Sequence, residues 1–310
     1  MAAPLRIAVV GVGKIARDQH LPALAANPDY ELVGTVTRQP DTTLAVPNFR
    51  TIADLVAGVE SVAAVSLCTP PVGRHALAQA ALDAGLDVML EKPPGATLSE
   101  VDVLVARADA GGRCLFATWH SREAPAVAPA RAWLADRRID AVAIRWLEDV
   151  RHWHPGQAWI WEPGGLGVFD PGINALSIAT AILPRPLFLT AAELFVPANR
   201  QTPIAANLTL TDSAATPMTA TFDWRQQGEQ VWEIRVQTDA GELWLSEGGA
   251  ALQLPGEALV KQAPAEYPGL YRRFATLVRA RRSDVDLSPL TLAADAFLLG
   301  RRTLVDAFRE

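Results

Sequence analysis

Short apolar runs and stretches of helical periodicity alternate along the first 120 residues. Five apolar runs predict β-strands, at residues 6–10, 31–36, 63–68, 88–90 and 115–118. Helices are predicted between them, notably at residues 72–84 and 99–110, the second with Ser99 in a good capping position. A helix is also expected after Lys14, but Pro22 lacks an amide hydrogen and should kink or break it about two turns in. Strands that alternate with helices predict βαβ units and a parallel sheet.

The pattern changes after His120 to long strand-like runs with few helices between them. The predicted strands are residues 141–146, 205–210, 219–224, 233–238 and 242–245, and the predicted helices are residues 126–137, 267–282 and 289–309. Asp239-Ala240-Gly241 predicts a hairpin turn between the last two strands. Successive strands without helices favour a largely antiparallel sheet, open on one face to a partner or to the first domain. We therefore predict an α/β domain at residues 1–120 and an α+β domain at residues 121–310.

Composition narrows the class of partner. The 310-residue chain has a net charge of −6 and no basic run, which argues against nucleic acid or an anionic membrane surface as a partner. The two cysteines, Cys68 and Cys114, lie in apolar runs and are interpreted as reduced core residues, and no metal site is predicted. Because there is no secretory leader and no apolar run of about 20 residues that would span a bilayer, a cytoplasmic location is expected. Small molecules are the expected partners.

A glycine-rich turn follows the first predicted strand. Ile7-Ala8-Val9-Val10 leads into Gly11-Val12-Gly13-Lys14-Ile15-Ala16, a Gly-x-Gly-x-x-Ala pattern at a strand-to-helix turn. Gly11 permits the tight turn, Gly13 lets the backbone approach a pyrophosphate, and the start of the helix presents free N–H groups to the phosphates. The pattern indicates a dinucleotide-binding Rossmann domain. The alternative is a tight turn that binds nothing, which the strand-helix-strand context disfavours.

The residues after the second predicted strand bear on the choice of dinucleotide. NAD-selective domains usually place an acidic residue there, but this chain has Thr37 and Arg38. Because a hydroxyl and a cation suit a 2′-phosphate, NADP is predicted as the preferred cofactor, with NAD also accepted. The alternative is that Arg38 is a solvated surface residue.

Two further motifs carry a resemblance to a known family. Glu91-Lys92-Pro93 follows the strand predicted at residues 88–90, at the edge of a parallel sheet where ligands collect. With the glycine-rich turn, it resembles the Gfo/Idh/MocA family of sugar and polyol oxidoreductases over essentially the whole chain. Segments 146–150, 153–157 and 164–174, which read WLEDV, WHPGQ and GGLGVFDPGIN, look like the L-arabinose/D-galactose 1-dehydrogenase branch. Relatives commonly carry a histidine four residues after the aspartate of the last segment, where this chain has Asn174.

The resemblance implies an enzyme that oxidises L-arabinose or D-galactose at C1 to the lactone while hydride passes to NAD(P). Such a reaction needs a base for the proton of the C1 hydroxyl. Asp170 is the leading candidate, because it begins an apolar helical stretch and Asn174 follows one turn later on the same face. Asn174 would orient the reacting hydroxyl, and Lys92 would donate to a sugar oxygen and stabilise the developing alkoxide.

The same branch implies Glu148 and His154 as groups that recognise sugar hydroxyls, and His120 is a weaker candidate. Six of the nine tryptophans lie between positions 119 and 161. One or two of the group Trp119, Trp146, Trp153, Trp159 and Trp161, Trp153 in particular, are expected to line a sugar pocket. The predicted cofactor-binding residues are Gly11, Val12, Gly13, Lys14, Ile15, Thr37, Arg38, Cys68, Thr69, Pro70, His75, Glu91 and Lys92.

Other interpretations remain open at this stage. Asp170 could merely cap its helix, Lys92 could form a surface ion pair, and His154 could be a structural histidine. The enzyme could act at a different carbon of a sugar, or the chain could be a cofactor-binding regulator without turnover. The joint presence of Lys92 and Asp170 argues against a regulator. The resemblance also implies a homo-oligomer, a dimer through the open sheet.

Overall fold

The computed structural model describes residues 3–39 and 42–309, which fall into two compact units. Unit 1 consists of Met1–His120 and Tyr267–Asp286, and unit 2 consists of Ser121–Glu266 and Leu287–Glu310. The first division falls after His120, where the predicted domain boundary also stands. Residues 267–286 group with unit 1, whereas the predicted boundaries assign them to the second domain. The assignment of cofactor and substrate to separate domains stays a prediction.

Unit 1 is built on a six-stranded parallel sheet with the order β3-β2-β1-β4-β5-β6. The strands are β1 Leu5–Val10, β2 Tyr30–Val36, β3 Asn48–Phe49, β4 Ala64–Leu67, β5 Asp87–Leu90 and β6 Leu115–Ala117. Ile7 and Val9 of β1 join one core cluster, and Ala8 and Val10 join the cluster on the other face. Because both faces are covered, the strands read as continuous apolar runs.

The helices of unit 1 follow the predicted alternation. They are α1 Leu21–Ala25, α2 Ile52–Gly58, α3 Arg74–Asp83, α4 Leu98–Gly111 and α8 Glu266–Arg279, the last of which begins one residue before the unit 1 segment Tyr267–Asp286. The predicted cap at Ser99 is wrong, because Thr97 caps α4 by accepting a hydrogen bond from the Glu100 amide. The irregularity predicted near Pro22 is confirmed. Residues Ala16–His20 form a π-helical turn, closed by a bond from the Leu21 amide to the Ala16 carbonyl, directly before Pro22.

Unit 2 is built on a nine-stranded mixed sheet with the order β14-β13-β12-β11-β7-β10-β9-β8-β15. The strands are β7 Ile139–Leu147, β8 Phe188–Pro197, β9 Ala205–Thr211, β10 Met218–Asp223, β11 Val231–Thr238, β12 Gly241–Ser246, β13 Ala251–Gln253, β14 Val260–Lys261 and β15 Arg301–Val305. β7 with β10 and β8 with β15 are parallel pairs, and the other pairs are antiparallel. The hairpin predicted at residues 239–241 joins β11 to β12 as expected.

The helices of unit 2 are α5 Val127–Leu134, α6 Val150–Trp153, α7 Phe169–Ile182 and α9 Ser288–Leu299. The long helix predicted at residues 289–309 is wrong beyond Leu299, because residues Arg301–Val305 form β15 beside β8. Gly300 lies between the end of α9 and the start of β15. A β-carbon there would come within 2.4 Å of the Ala296 carbonyl oxygen and 2.8 Å of Leu194, so the chain packs too closely at this point for a side chain.

The predicted fold class is confirmed: a parallel Rossmann-type sheet with helices in the first part of the chain and a mixed, mostly antiparallel sheet in the second. Cys68 and Cys114 are buried free thiols, as predicted. No helix within residues 3–39 and 42–309 has the length and apolarity that crossing a membrane requires.

The packing of α7 on β10 yields a stability prediction. A β-carbon at Gly172, in the first half of α7, would lie 2.6 Å from Cδ2 of Phe222. Alanine usually stabilises a helix by up to about 1 kcal/mol relative to glycine, but overpacking costs about 1–3 kcal/mol, so we expect Gly172→Ala to lower the melting temperature. Gly111→Ala in α4 is the matched control, because its β-carbon would approach nothing closer than Arg113 Cγ at 3.6 Å. Thermal unfolding of both variants checks this, and an unchanged Gly172→Ala transition would contradict the tight contact.

Candidate active site

The predicted cofactor-binding residues of unit 1 cluster at one edge of its sheet. β1 ends directly before Gly11, β2 before Thr37, β4 before Cys68 and β5 before Glu91. Because the four strands are parallel and adjacent, their carboxyl ends lie at the same edge. His75 lies in the first turn of α3, which follows β4. The turn and loop residues predicted from four separate strands are therefore brought together on one side of unit 1.

The glycine-rich turn fits a dinucleotide in its local geometry. Gly11 has a φ of +85°, and a β-carbon there would stand 2.6 Å from Cγ2 of Thr69. At Gly13 no described residue beyond the immediate neighbours comes within 4 Å of where a β-carbon would be, so the backbone is open to a ligand. The hydroxyl oxygen of Thr69 is buried and makes no hydrogen bond within the described part of the chain. Gly11, Gly13 and Thr69 are thus the residues whose surroundings fit a bound NAD(P).

The remaining predicted cofactor residues differ in their surroundings. Arg38 is exposed after β2, and the Thr37 carbonyl accepts a hydrogen bond from the Asn48 side chain at 3.2 Å. Lys14 is exposed and forms an ion pair with Asp18 one turn along the chain. Ile15 is also largely exposed. These positions at the loop surface are accessible to a nucleotide.

Glu91 lies at the centre of a buried polar network in unit 1. Its Oε1 accepts a hydrogen bond from the Tyr267 hydroxyl at 2.6 Å and lies 3.2 Å from Nε2 of His20. Its Oε2 accepts the backbone N–H of Lys92. On the other side of the imidazole, Nδ1 of His20 lies 2.8 Å from the Tyr271 hydroxyl. Glu91 and His20 are both buried, so this carboxylate has no bulk solvent to stabilise it.

The electrostatics of this network favour an ion pair. Burial raises the pKa of Glu91, but the hydrogen bond and charge of His20, with His120 and Tyr267, outweigh burial and hold the pKa well below its usual range. Burial lowers the pKa of His20, but Cys68, Tyr271 and Glu91 outweigh burial and raise it well above its usual value. Burial and the Glu91 carboxylate both raise the pKa of Tyr267, which keeps its hydroxyl proton available as a donor. Glu91 is therefore a carboxylate that faces an imidazolium and a phenol.

Arg74 is a buried residue beside the predicted cofactor loops that sequence reasoning missed. It is almost fully buried, and its guanidinium donates to the carbonyl oxygens of Thr69, Glu91 and Pro93, the Thr69 bond from Nε at 3.0 Å. It therefore joins the loop after β4 to the loop after β5. His20 and Tyr267 were missed as well, because Tyr267 is separated from Glu91 by 176 positions. The sequence did place Arg74 directly before His75, which is a predicted cofactor-binding residue.

Asp170 and His154 lie together in unit 2. Asp170 is the second residue of α7 and is buried, and its Oδ2 lies 3.5 Å from Nε2 of His154. Nδ1 of His154 lies 3.4 Å from Oε1 of Gln157. His154 also contributes to the wall of a cavity, which is lined by Val150, Arg151, His154, Pro155 and Phe308. The pair combines a carboxylate with an imidazole, and of the two residues His154 lines the cavity.

Asn174 lies one turn after Asp170 in a helix segment that is otherwise buried. Every other residue from Phe169 to Ala179 is buried, and Asn174 alone in that segment is partly exposed. Gly172, between Asp170 and Asn174, packs against Phe222. The segment is therefore fixed by its packing, and its polar positions are Asp170, Asn174 and Ser177.

Glu148 follows β7 and contacts two tryptophans. Its Oε1 accepts the indole N–H of Trp224 at 3.2 Å, and its Oε2 accepts that of Trp232 at 2.9 Å. Trp224 in turn packs against His154, with 5.3 Å between ring centroids. Trp153 is more exposed, and its ring meets Trp232 edge-on at 5.5 Å. The structure thus brings Glu148, Trp153, His154, Asp170 and Asn174 into unit 2.

His120 and Lys92 belong to unit 1. The imidazole of His120 stacks on the ring of Tyr267, with 5.5 Å between centroids and an angle of 18° between planes. Lys92 is half-buried, and its peptide bond to Pro93 is cis. Of the other tryptophans in the predicted group, Trp119, Trp146 and Trp161 are buried, so these three are core residues.

Comparisons with known proteins agree with the fold described above. The GFO_IDH_MocA model, described as an oxidoreductase family with an NAD-binding Rossmann fold, matches residues 5–118. A curated relative from Pseudomonas fluorescens, named galactose 1-dehydrogenase, is 47% identical over 307 residues, which cover 99% of each chain. A crystal structure described as D-galactose-1-dehydrogenase protein from Rhizobium etli is 54% identical with a TM-score of 0.96, covering 100% of this chain and 99% of that one.

A more distant structure shares the fold. A 3-ketoreductase from Actinomadura kijaniata, crystallised with NADP and TDP-benzene, has a TM-score of 0.83 at 21% identity, covering 97% of this chain and 99% of that one. The predictions of an NAD(P)-binding Rossmann fold and of an oxidoreductase are confirmed. The identity to the Pseudomonas fluorescens relative over nearly its full length shows that this chain belongs to the Gfo/Idh/MocA oxidoreductase family, as the glycine-rich turn and Glu91-Lys92-Pro93 predict.

Proposed function

We propose that this chain is an aldose 1-dehydrogenase that oxidises D-galactose and L-arabinose at C1 to their lactones, with NADP preferred over NAD. The observation that carries the proposal is the buried Asp170 carboxylate 3.5 Å from the imidazole of His154, which lines a cavity. The names of the relatives from Pseudomonas fluorescens and Rhizobium etli support galactose as a substrate. Both relatives align with this chain over nearly its whole length.

Asp170 takes the proton of the C1 hydroxyl in the proposed reaction. As the C1–H bond breaks, its electron pair leaves as hydride, the C1–O bond becomes a carbonyl, and the O–H proton passes to the carboxylate. The nicotinamide of bound NAD(P) supplies the hydride acceptor. His154 is the nearest imidazole on the Asp170 carboxylate and can receive the proton next. The product of a cyclic aldose is then a lactone.

Other side chains bind and orient the sugar in this proposal. The Asn174 amide hydrogen-bonds the reacting hydroxyl from the same face of α7, since it cannot exchange a proton near neutral pH. Lys92 donates to a sugar oxygen and stabilises the developing alkoxide. Trp153 offers an exposed ring to the apolar C–H face of the sugar. His120 remains a weaker candidate for contact with the substrate.

Glu148 recognises a sugar hydroxyl in this proposal. Its oxygens accept the indole N–H groups of Trp224 and Trp232, and in this proposal the carboxylate also accepts a sugar hydroxyl. The two indoles fix the orientation of the carboxylate before the sugar binds.

A dimer through the open sheet face stays a prediction from the resemblance.

The substrate prediction follows from stereochemistry. L-arabinopyranose and D-galactopyranose share the arrangement of their ring hydroxyls and differ in the hydroxymethyl group on C5, so both should be oxidised. D-glucose, the C4 epimer, leaves one buried polar group unpaired at a cost of about 1–3 kcal/mol, so its kcat/KM should be roughly fivefold to 150-fold lower than that of galactose. The measurement is nicotinamide absorbance with each sugar and cofactor, with identification of the product. Glucose matching galactose, or a keto-sugar product, would contradict the proposal, and no turnover with any aldose would favour a regulator.

The role of Asp170 is tested by removing its proton-accepting charge. Asp170→Asn should lower kcat by at least a hundredfold while the dissociation constant for NADP changes little, because the glycine-rich turn is left intact. Asp140→Asn, at an exposed carboxylate paired with Arg138, is the charge-matched control and should keep its activity. If Asp170→Asn turns over at a near-normal rate, then His154, His120 or a water carries the proton.

The choice of cofactor is tested at Arg38. A charge-assisted contact to the 2′-phosphate contributes about 1.5–3 kcal/mol, so Arg38→Ala should weaken NADP binding roughly tenfold to a hundredfold and NAD binding little. Direct titration of the nucleotides gives both dissociation constants without any need for turnover. Arg107→Ala, at an exposed arginine paired with Asp83, controls for the lost charge. Equal weakening of NAD and NADP would argue against the assignment.

A further inference from the structure

The backbone on both sides of Lys92 is held by two buried charged side chains. The carboxylate of Glu91 accepts the backbone N–H of Lys92. The guanidinium of Arg74 donates hydrogen bonds to the carbonyl oxygens of the two neighbouring residues, Glu91 and Pro93. Glu91 and Arg74 are both almost fully buried. Hydrogen bonds to charged groups are stronger than those between neutral groups, so this short segment is fixed more firmly than an ordinary loop.

The Glu91 carboxylate is in turn held from its other side. The Tyr267 hydroxyl donates to its Oε1 at 2.6 Å, and Nε2 of His20 lies 3.2 Å from the same oxygen. The imidazole is fixed by Tyr271, whose hydroxyl lies 2.8 Å from its Nδ1. A buried carboxylate without such partners would be strongly destabilised, so these contacts hold the Glu91 carboxylate in its buried position.

We propose that Arg74, His20 and Tyr267 are positioning residues for Lys92, acting through the Glu91 carboxylate and the carbonyl groups on either side of Lys92. They fix the backbone position of Lys92, from which its side chain extends. The ammonium group is therefore held near the sugar oxygen instead of moving with a flexible loop. The inference rests on the proposed function, in which Lys92 stabilises the alkoxide. It adds residues that the resemblance does not supply.

Tyr267→Phe is the sharpest test, because it removes one hydroxyl and keeps the ring. Tyr30→Phe is its matched control: the Tyr30 hydroxyl donates to the Tyr271 carbonyl at 2.7 Å in the same core, and neither Glu91 nor Lys92 is involved. We expect Tyr267→Phe to lower kcat for galactose at least tenfold with less than a threefold change in KM, and Tyr30→Phe to lower kcat less than twofold. Equal losses of kcat in the two variants would overturn the inference.

A double-mutant comparison separates positioning from general damage to the fold. In a Lys92→Ala background the Tyr267→Phe change should alter the residual kcat less than twofold, since there is no lysine left to position. The same tenfold loss in both backgrounds would show that Tyr267 acts independently of Lys92 and would overturn the inference. His20→Gln, which removes the cation facing Glu91, gives a second arm with the same expected pattern.

Labelling of lysines tests the inference without any turnover. The chain has three lysines, Lys14, Lys92 and Lys261, so amine-reactive labelling followed by peptide mass spectrometry resolves each one. Tyr267→Phe should raise the labelling rate of Lys92 at least threefold and leave those of Lys14 and Lys261 unchanged, and Tyr30→Phe should change none of them. An unchanged Lys92 rate would overturn the inference. If the wild-type protein oxidises no aldose, the proposed function fails and the labelling result still decides whether Lys92 is held in this way.

Discussion

Burial of the Glu91 carboxylate is the constraint on which the arrangement of unit 1 depends. A carboxylate removed from water requires a positive partner and hydrogen-bond donors, or it takes up a proton. His20 supplies the positive partner from the π-helical turn after the glycine loop, and Tyr267 supplies a donor from α8. His20 and Tyr267, which are far apart in the sequence, therefore contact one side chain at the edge of the sheet. Apolar side chains of α8 also pack in the core cluster that contains Ile7 and Val9, so Tyr267–Asp286 groups with the N-terminal residues.

Unit 2 satisfies its buried carboxylates by the same principle but with different donors. Glu148 is held by the indole N–H groups of Trp224 and Trp232, and Asp170 has the imidazole of His154 beside it. Indole can only donate, so it fixes a carboxylate without offering it a proton to exchange. Imidazole can both give and take a proton near neutral pH. In the proposed reaction the two carboxylates therefore have different tasks: Glu148 recognises a hydroxyl, and Asp170 takes a proton.

The sequence predicted the features whose signals are local. Strands buried on both faces read as apolar runs, and the glycine turn and the Glu91-Lys92-Pro93 segment are contiguous, so their positions at strand ends followed directly. β15 was missed because nothing local marks a strand that pairs in parallel with an edge 108 positions away. Arg74 and His20 were missed for the same reason. Their partners are Glu91 and its neighbours, and burial of a charged side chain is decided by tertiary packing rather than by periodicity.

The departure from the family pattern at Asn174 acquires a physical meaning in the structure. The resemblance implies a histidine one turn after the aspartate, on the same helix, whereas this chain has an amide there. His154 follows α6 rather than lying in α7, yet its Nε2 reaches within 3.5 Å of the Asp170 carboxylate. An imidazole is thus available to Asp170 from another element, while Asn174 offers a donor and an acceptor in fixed directions. In the proposed mechanism, His154 takes part in proton transfer and Asn174 orients the hydroxyl. The two tasks fall to different residues because the amide of Asn174, in α7, cannot titrate.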